Sequence, residues 1–121
     1  MDEVQPSQTY LSRKLLDEAI RTVEKGILKP FPVREMDGRL ILLDGHHTAH
    51  ALLLMGFAFI PCMLYDGPID MDMYRWAVKW TMDEGIEKIG HLEKRIVEHG
   101  DFMRLWVGAC EEYKRKRRDN H

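Results

Sequence analysis

Apolar positions recur along this chain with two periods, and the changes of period mark its elements. From Leu11 onward, Leu15, Leu16, Ala19, Ile20 and Val23 repeat at helical spacing. Ser12 is placed to cap that helix, and Gly26 ends it after Lys25, a cation at the favoured end. Before it, Met1 to Thr9 is polar and interrupted by Pro6, which reads as an extended lead-in. After it, Pro30 and Pro32 exclude both a helix and a central strand position, so the chain should run extended into a strand at Val33–Met36. Asp37-Gly38 is a strong two-residue hairpin signal, and it pairs Val33–Met36 antiparallel with Arg39–Leu43. Leu40 to Leu43 is apolar without alternation, as expected of a central strand covered on both faces.

A helix follows from about His46 to Met55 and stops at Gly56. Another strand is expected from Ile60 or Pro61 to Tyr65, so Leu40–Tyr65 has the length of a right-handed crossover joining parallel strands. Asp66-Gly67-Pro68 is a turn and the expected boundary. Beyond it, Met73, Trp76, Ala77, Trp80 and Thr81 predict a helix between Asp70, its N-cap, and Gly85. Gly90 opens a second helical pattern with Leu92, Ile96 and Val97 on one face, closed by Gly100. Asp101 caps a third, in which Phe102, Leu105, Trp106, Ala109 and Cys110 share a face. An α/β core over residues 1–66 thus precedes a helical extension over 67–121. The extension's apolar stripes must bury on the core, on each other or on another subunit.

Composition narrows this picture. The 121 residues suffice for one domain, and a net charge of −2 provides no global field to recruit nucleic acid. No apolar run approaches the ~20 residues of a membrane span, and the polar, acidic start is unlike a signal peptide. Cys62 and Cys110 are not spaced as a metal pair, and they read as reduced, buried thiols of a cytoplasmic protein.

The chemistry is expected at Asp44-Gly45-His46-His47-Thr48, where a strand turns into a helix. Backbone N–H groups there lack intrahelical partners, and the positive end of the helix dipole faces the same way, which suits a phosphate. Gly45 permits a tight turn and close approach of a ligand. His46 and His47 would donate to phosphate oxygens, or else serve the turn by bonding its backbone. Asp44 would hold Mg²⁺ with the phosphates or orient His47, or else act as a turn and cap residue. His46 and His50 are one helical turn apart, but no third ligand is apparent, so no metal site is assigned. Lys29 is either a phosphate contact or a surface lysine. Glu35 is a substitute base only if its strand face is not simply solvated. Trp76, Trp80 and Trp106 read as packing aromatics rather than base-stacking ones. The run Lys114-Arg115-Lys116-Arg117-Arg118 is either a solvated helix end or a contact for DNA phosphates.

Lys29-Pro30, Val33 to Met36, Asp37-Gly38, Leu40 to Leu43, Asp44-Gly45-His46-His47, Ala49, Ala51, Gly56 and Ile60-Pro61 together resemble the ParB N-terminal / sulfiredoxin superfamily. The likeness covers roughly Val4 to Asp66, and Asp-Gly-His-His is most similar to the ParB-like free serine kinase branch. It implies a small α/β (α+β) domain with a mixed sheet and a strand-turn-helix phosphate site. The implied ligand is ATP or ADP with Mg²⁺, bound by Gly45, His46, His47, Thr48 and Lys29 with Gln8 and Ser7. Asp44 and His47 would carry any small-molecule phosphotransferase chemistry. Three positions depart from the pattern. The sulfiredoxin nucleophile would be a Cys at position 46, so sulfinic-acid repair is excluded. The arginine of that superfamily's Gly-x-x-Arg element, at a helix N-terminus, is Thr48 here, which offers one hydrogen bond and no charge. The kinase branch's general-base Glu aligns with Gln8, or else Ser7, and neither takes a proton as a carboxylate does. The competing expectations are a non-catalytic, DNA-associated ParB-like module using the basic tail, and a homo-oligomer formed through the helical half.

Overall fold

The computed structural model describes residues 1–119. The first helix, α1 (Arg13–Glu24), starts where Ser12 stops the extended chain and its hydroxyl accepts the Leu15 amide at 3.2 Å. It ends at Lys25, after which Gly26 at φ +78° turns the chain away. Ahead of it the lead-in holds two short strands, β1 (Val4–Gln5) and β2 (Leu11–Ser12). The Asp37-Gly38 turn has positive φ at both residues, as a primed hairpin turn requires, and joins β3 (Phe31–Met36) to β4 (Arg39–Leu42). Next come α2 (His46–Leu54), β5 (Cys62–Leu64) and α3 (Met71–Asp83), whose N-cap Asp70 accepts the Met73 amide.

The sheet order is β1-β4-β3-β5. Leu42, Val33, Phe31 and Val4 pack under Ala49 and Leu52 of α2 on one face. Ile41, Leu43 and Met36 pack under Ile69, Met71, Tyr74 and Val78 on the other. This is a mixed α and β architecture in which β4 is central and covered on both sides, as its unbroken apolar run requires.

The crossover expected over Leu40–Tyr65 does not join parallel neighbours. β4 is flanked by β1 (parallel) and by its hairpin partner β3 (antiparallel), so the chain returning from α2 has only the free edge of β3 to join. There β5 lies parallel to β3, with Phe31 opposite Cys62 and Val33 opposite Leu64. That edge position also leaves Cys62 exposed, not buried. β3 begins two residues earlier than expected and places Pro32 between two strands. The register sets Pro32 opposite Leu43, so its missing N–H would have served the Leu43 carbonyl. The Tyr74 hydroxyl donates to that carbonyl instead, at 2.9 Å, while Leu43 N–H still reaches the Pro32 carbonyl.

The expected helix over residues 90–100 is absent. Ile89–Arg95 forms a 3-10 helix, and β6 (Ile96–Val97) pairs parallel with β2. Leu11, Ile86, Leu92 and Ile96 close a small core there, so Leu92 and Ile96 are core positions on a 3-10 turn and a strand instead of one helical face. Gly100 closes nothing. It lies inside α4 (His99–Phe102), which continues through a π turn (Met103–Val107) into α5 (Gly108–Asp119), and Asp101 sits in the first turn instead of at the cap. Trp76, Trp80 and Trp106 join α3 to this helix by stacking. The Trp80 and Trp106 rings lie 5.4 Å apart, and those of Trp76 and Tyr113 lie 4.5 Å apart.

Tyr74→Phe keeps the ring in its apolar cluster and removes the donor that replaces the Pro32 amide. We expect a loss of about 1–2 kcal/mol in urea unfolding, with an unchanged m-value.

Candidate functional site

The backbone between β1 and β2 is irregular and buried, so its polar groups need partners inside the protein. Side chains provide them. Gln5 Nε2 donates to the carbonyls of Pro6 and Ile86, Ser7 Oγ donates to the Leu42 carbonyl, and Thr9 bonds Thr81. Ser7 N–H donates to His46 Nε2 and Ser12 N–H to His47 Nε2, each at 2.9 Å. An Nε2 that accepts an amide carries no proton, so both imidazoles are held neutral with the proton on Nδ1. Burial, with the neighbouring His47 second, lowers the pKa of His46 to about 3. Burial first, then His50 and His99, lowers that of His47 to about 4. The His47 ring also lies edge-on to Phe102. These are turn histidines bonded to backbone, and their Nε2 atoms are taken up by the amides of Ser7 and Ser12.

The other motif residues converge. A cavity of about 370 Å³ opens at the start of α2, lined by Lys29, Asp44, Gly45 and Thr48, with Thr22 and the Ile27–Pro32 segment forming its wall. No side chain caps α2, so the first-turn amides retain their donor capacity, apart from Gly45 N–H, which donates to Asp44 Oδ1 at 2.8 Å. Lys29 and Asp44 are exposed and Thr48 is half-buried. Ser7, Gln8 and His46 line a second cavity of about 300 Å³ together with Asp70, Trp106, Cys110 and Lys114. Gln8 spends its amide on the Tyr10 carbonyl. Burial pushes the Cys110 thiol up to about 11, so it is no nucleophile at neutral pH. The expected site is therefore two sites, divided by the β4–α2 junction. The wall of the first, from the α1–β3 loop, carried no signal beyond Lys29. The second depends on the helical half folding back, which no local motif announces.

Gly45 has φ +86°, and a Cβ there would meet the Phe31 ring at 2.8 Å. The fold itself demands this glycine, with or without a ligand. His50 is buried, with Nε2 at 2.7 Å from Glu93 Oε2, and so does not face His46 across a metal. Among the described residues, no group of three or more His, Cys, Asp or Glu side chains is placed to hold a metal ion. Glu35 lies in β3 and is exposed.

The basic run lies on α5, where carboxylates answer most of it. Arg117 bonds Asp70 and Asp72, Arg115 and Lys116 both reach Glu112, and Arg115 and Arg118 lie near Asp119. Four of the five cations are thus within ion-pair distance of a carboxylate. Among the described residues, no helix is long and apolar enough to cross a membrane.

No protein-family model matches this sequence, and no curated protein matches it.

Two outcomes are expected from this geometry. Unfolded histidines bind protons below about pH 6.5 while the folded pair does not until about pH 4 and about pH 3. The contribution of neutral His46 and His47 is therefore complete above pH 6.5 and is lost as the pH falls. Urea unfolding between pH 7 and 5, above the carboxylate range, should show stability falling by about 2 kcal/mol in all for His46, the slope approaching roughly 1.4 kcal/mol per pH unit near pH 5, with His47 adding in the same direction. His47→Gln, whose amide oxygen can accept the Ser12 amide, should flatten that slope. Separately, Gly45→Ala should lower stability by about 1–3 kcal/mol through left-handed strain and the Phe31 contact, measured by thermal unfolding without ligand.

Proposed function

We propose that this chain is a nucleotide-binding domain of ParB/sulfiredoxin-like type, and that the cavity at the start of α2 takes the phosphates of ATP or ADP. The observation that carries this reading is that Lys29, Gly45 and Thr48 line one open cavity at the start of a helix that no side chain caps. A lysine supplies charge, a hydroxyl and the amides supply directed donors, and the helix dipole favours the anion. The cavity is at the small end of the range for ligand pockets, matching a phosphate chain with part of its nucleoside outside.

Asp44 gives the proposal its cation. Its carboxylate stands at the mouth of a phosphate site and would repel a bare anion. Asp44 would hold a Mg²⁺ that accompanies the phosphates, and its charge would offset that repulsion; a carboxylate oxygen suits this ion. A transfer reaction would also need a base for the acceptor. Among the described residues, Asp44 is the only carboxylate lining this cavity, and His47 faces elsewhere. The cavity is therefore assigned binding, with no phosphotransfer step. The DNA-associated reading ranks second because the cations it needs are largely engaged by carboxylates.

Calorimetric titration with ATP, ADP and CTP, each with Mg²⁺, tests this. We expect ATP or ADP to bind, Lys29→Ala to weaken binding about 10- to 100-fold, and Thr48→Val to weaken it less. Asp44→Asn should remove the gain from Mg²⁺. Both Lys29 and Asp44 are exposed, so these variants should fold normally. Absence of heat with all three nucleotides overturns the reading.

A further inference from the structure

From Ala51 to Tyr65 the chain carries no charged residue, and from Leu54 onward every residue except Ile60 is exposed. This stretch ends in β5, an edge of the sheet. Leu64 is 73% exposed and Phe59 83% exposed. With Leu54, Phe57, Met63 and Tyr65 they present on the order of 600 Å² of surface, close to the ≈ 800 Å² each partner gives a standard interface and at the limit for a patch on a monomer. The helical half shows nothing comparable among the described residues: Met103 is its one large exposed apolar side chain.

The backbone of β5 specifies how this surface would be used. Phe31 N–H donates to the Pro61 carbonyl and Tyr65 N–H to the Val33 carbonyl, so residues 61, 63 and 65 turn their polar groups toward β3. Cys62 and Leu64 therefore direct N–H and C=O outward along the open edge. The strand lacks the usual protections, having no lysine, no bulge and no outward-facing proline; Pro61 points its nitrogen side inward. Arg34 holds its far end, donating to the carbonyls of Tyr65 and Gly67.

We propose that β5 pairs antiparallel with β5 of a second copy of this chain about a two-fold axis through Met63, joining two four-stranded sheets into one. In that register Cys62 lies opposite Leu64 of the second copy, and each such pair exchanges two backbone hydrogen bonds. A three-residue strand with its free groups at the first and third positions is complementary to itself in this way. The uncharged flank offers apolar surface to its own copy and no charge pattern to recruit a different partner. Pairing consumes the exposed edge on both chains, so the assembly closes at two.

Sedimentation of the full chain across micromolar concentrations tests this, together with crosslinking. We expect a shift from the 14.3 kDa monomer toward twice that mass. Leu64→Lys, at an exposed position, should leave the far-UV circular dichroism unchanged and weaken association at least about tenfold. Met63→Cys, in a chain also carrying Cys62→Ser and Cys110→Ser, should form an intermolecular disulfide under mild oxidation, because position 63 meets itself across the axis. A chain that stays monomeric overturns the proposal. So does a dimer that survives Leu64→Lys and fails to crosslink at position 63, which would place the interface elsewhere. Nucleotide binding is read separately and does not bear on either outcome.

Discussion

Two backbone amides, those of Ser7 and Ser12, end on imidazole nitrogens, and the arrangement of the N-terminal third follows from that. The chain between β1 and β2 runs buried without regular structure, so it cannot satisfy itself. His46 and His47 hold its two ends against α2. The same hold sets Ser12, whose hydroxyl caps α1 and also contacts His99 Nδ1 at 2.9 Å, so one serine ties α1, α2 and α4 together. Protonating either histidine at Nε2 would put a donor where a donor already points. The imidazoles must stay neutral for the segment to stay in place.

That segment decides the sheet. With β1 laid along β4, the central strand has no free side, and the chain leaving α2 must go to β3. The consequences run outward: Pro32 ends up inside the sheet, Tyr74 takes over the hydrogen bond that the proline cannot make, and β5 becomes an uncovered edge. A lead-in of two paired residues thus determines which surface of the molecule stays open.

Features governed by a few neighbouring residues were legible in the sequence. Asp37-Gly38, the Ser12 and Asp70 caps and the stops at Gly26 and Gly56 all depend on local backbone chemistry, and each is where its residues place it. What failed was pairing at a distance. Val4-Gln5 and Ile96-Val97 are too short to announce a strand, and each becomes one only because a partner edge is present. Ile96 and Leu92 satisfy a helical spacing over so few positions that the period cannot be told from chance. The histidines were ambiguous for a different reason. An imidazole at a strand-to-helix turn can face outward to an anion or inward to a backbone amide, and the choice lies with residues about 35 to 39 positions away.

This division of labour accounts for the shape of the candidate site. The turn before α2 is held rigid. Gly45 against the Phe31 ring, with His46 and His47 anchored inward, makes it so. The inward histidines therefore shape the cavity that their neighbours line. They fix the α2 N-terminus from behind, while Lys29, Asp44 and Thr48 line its open side. Adjacent residues of this motif thus serve two faces of one turn, one that holds the backbone still and one that lines an open cavity.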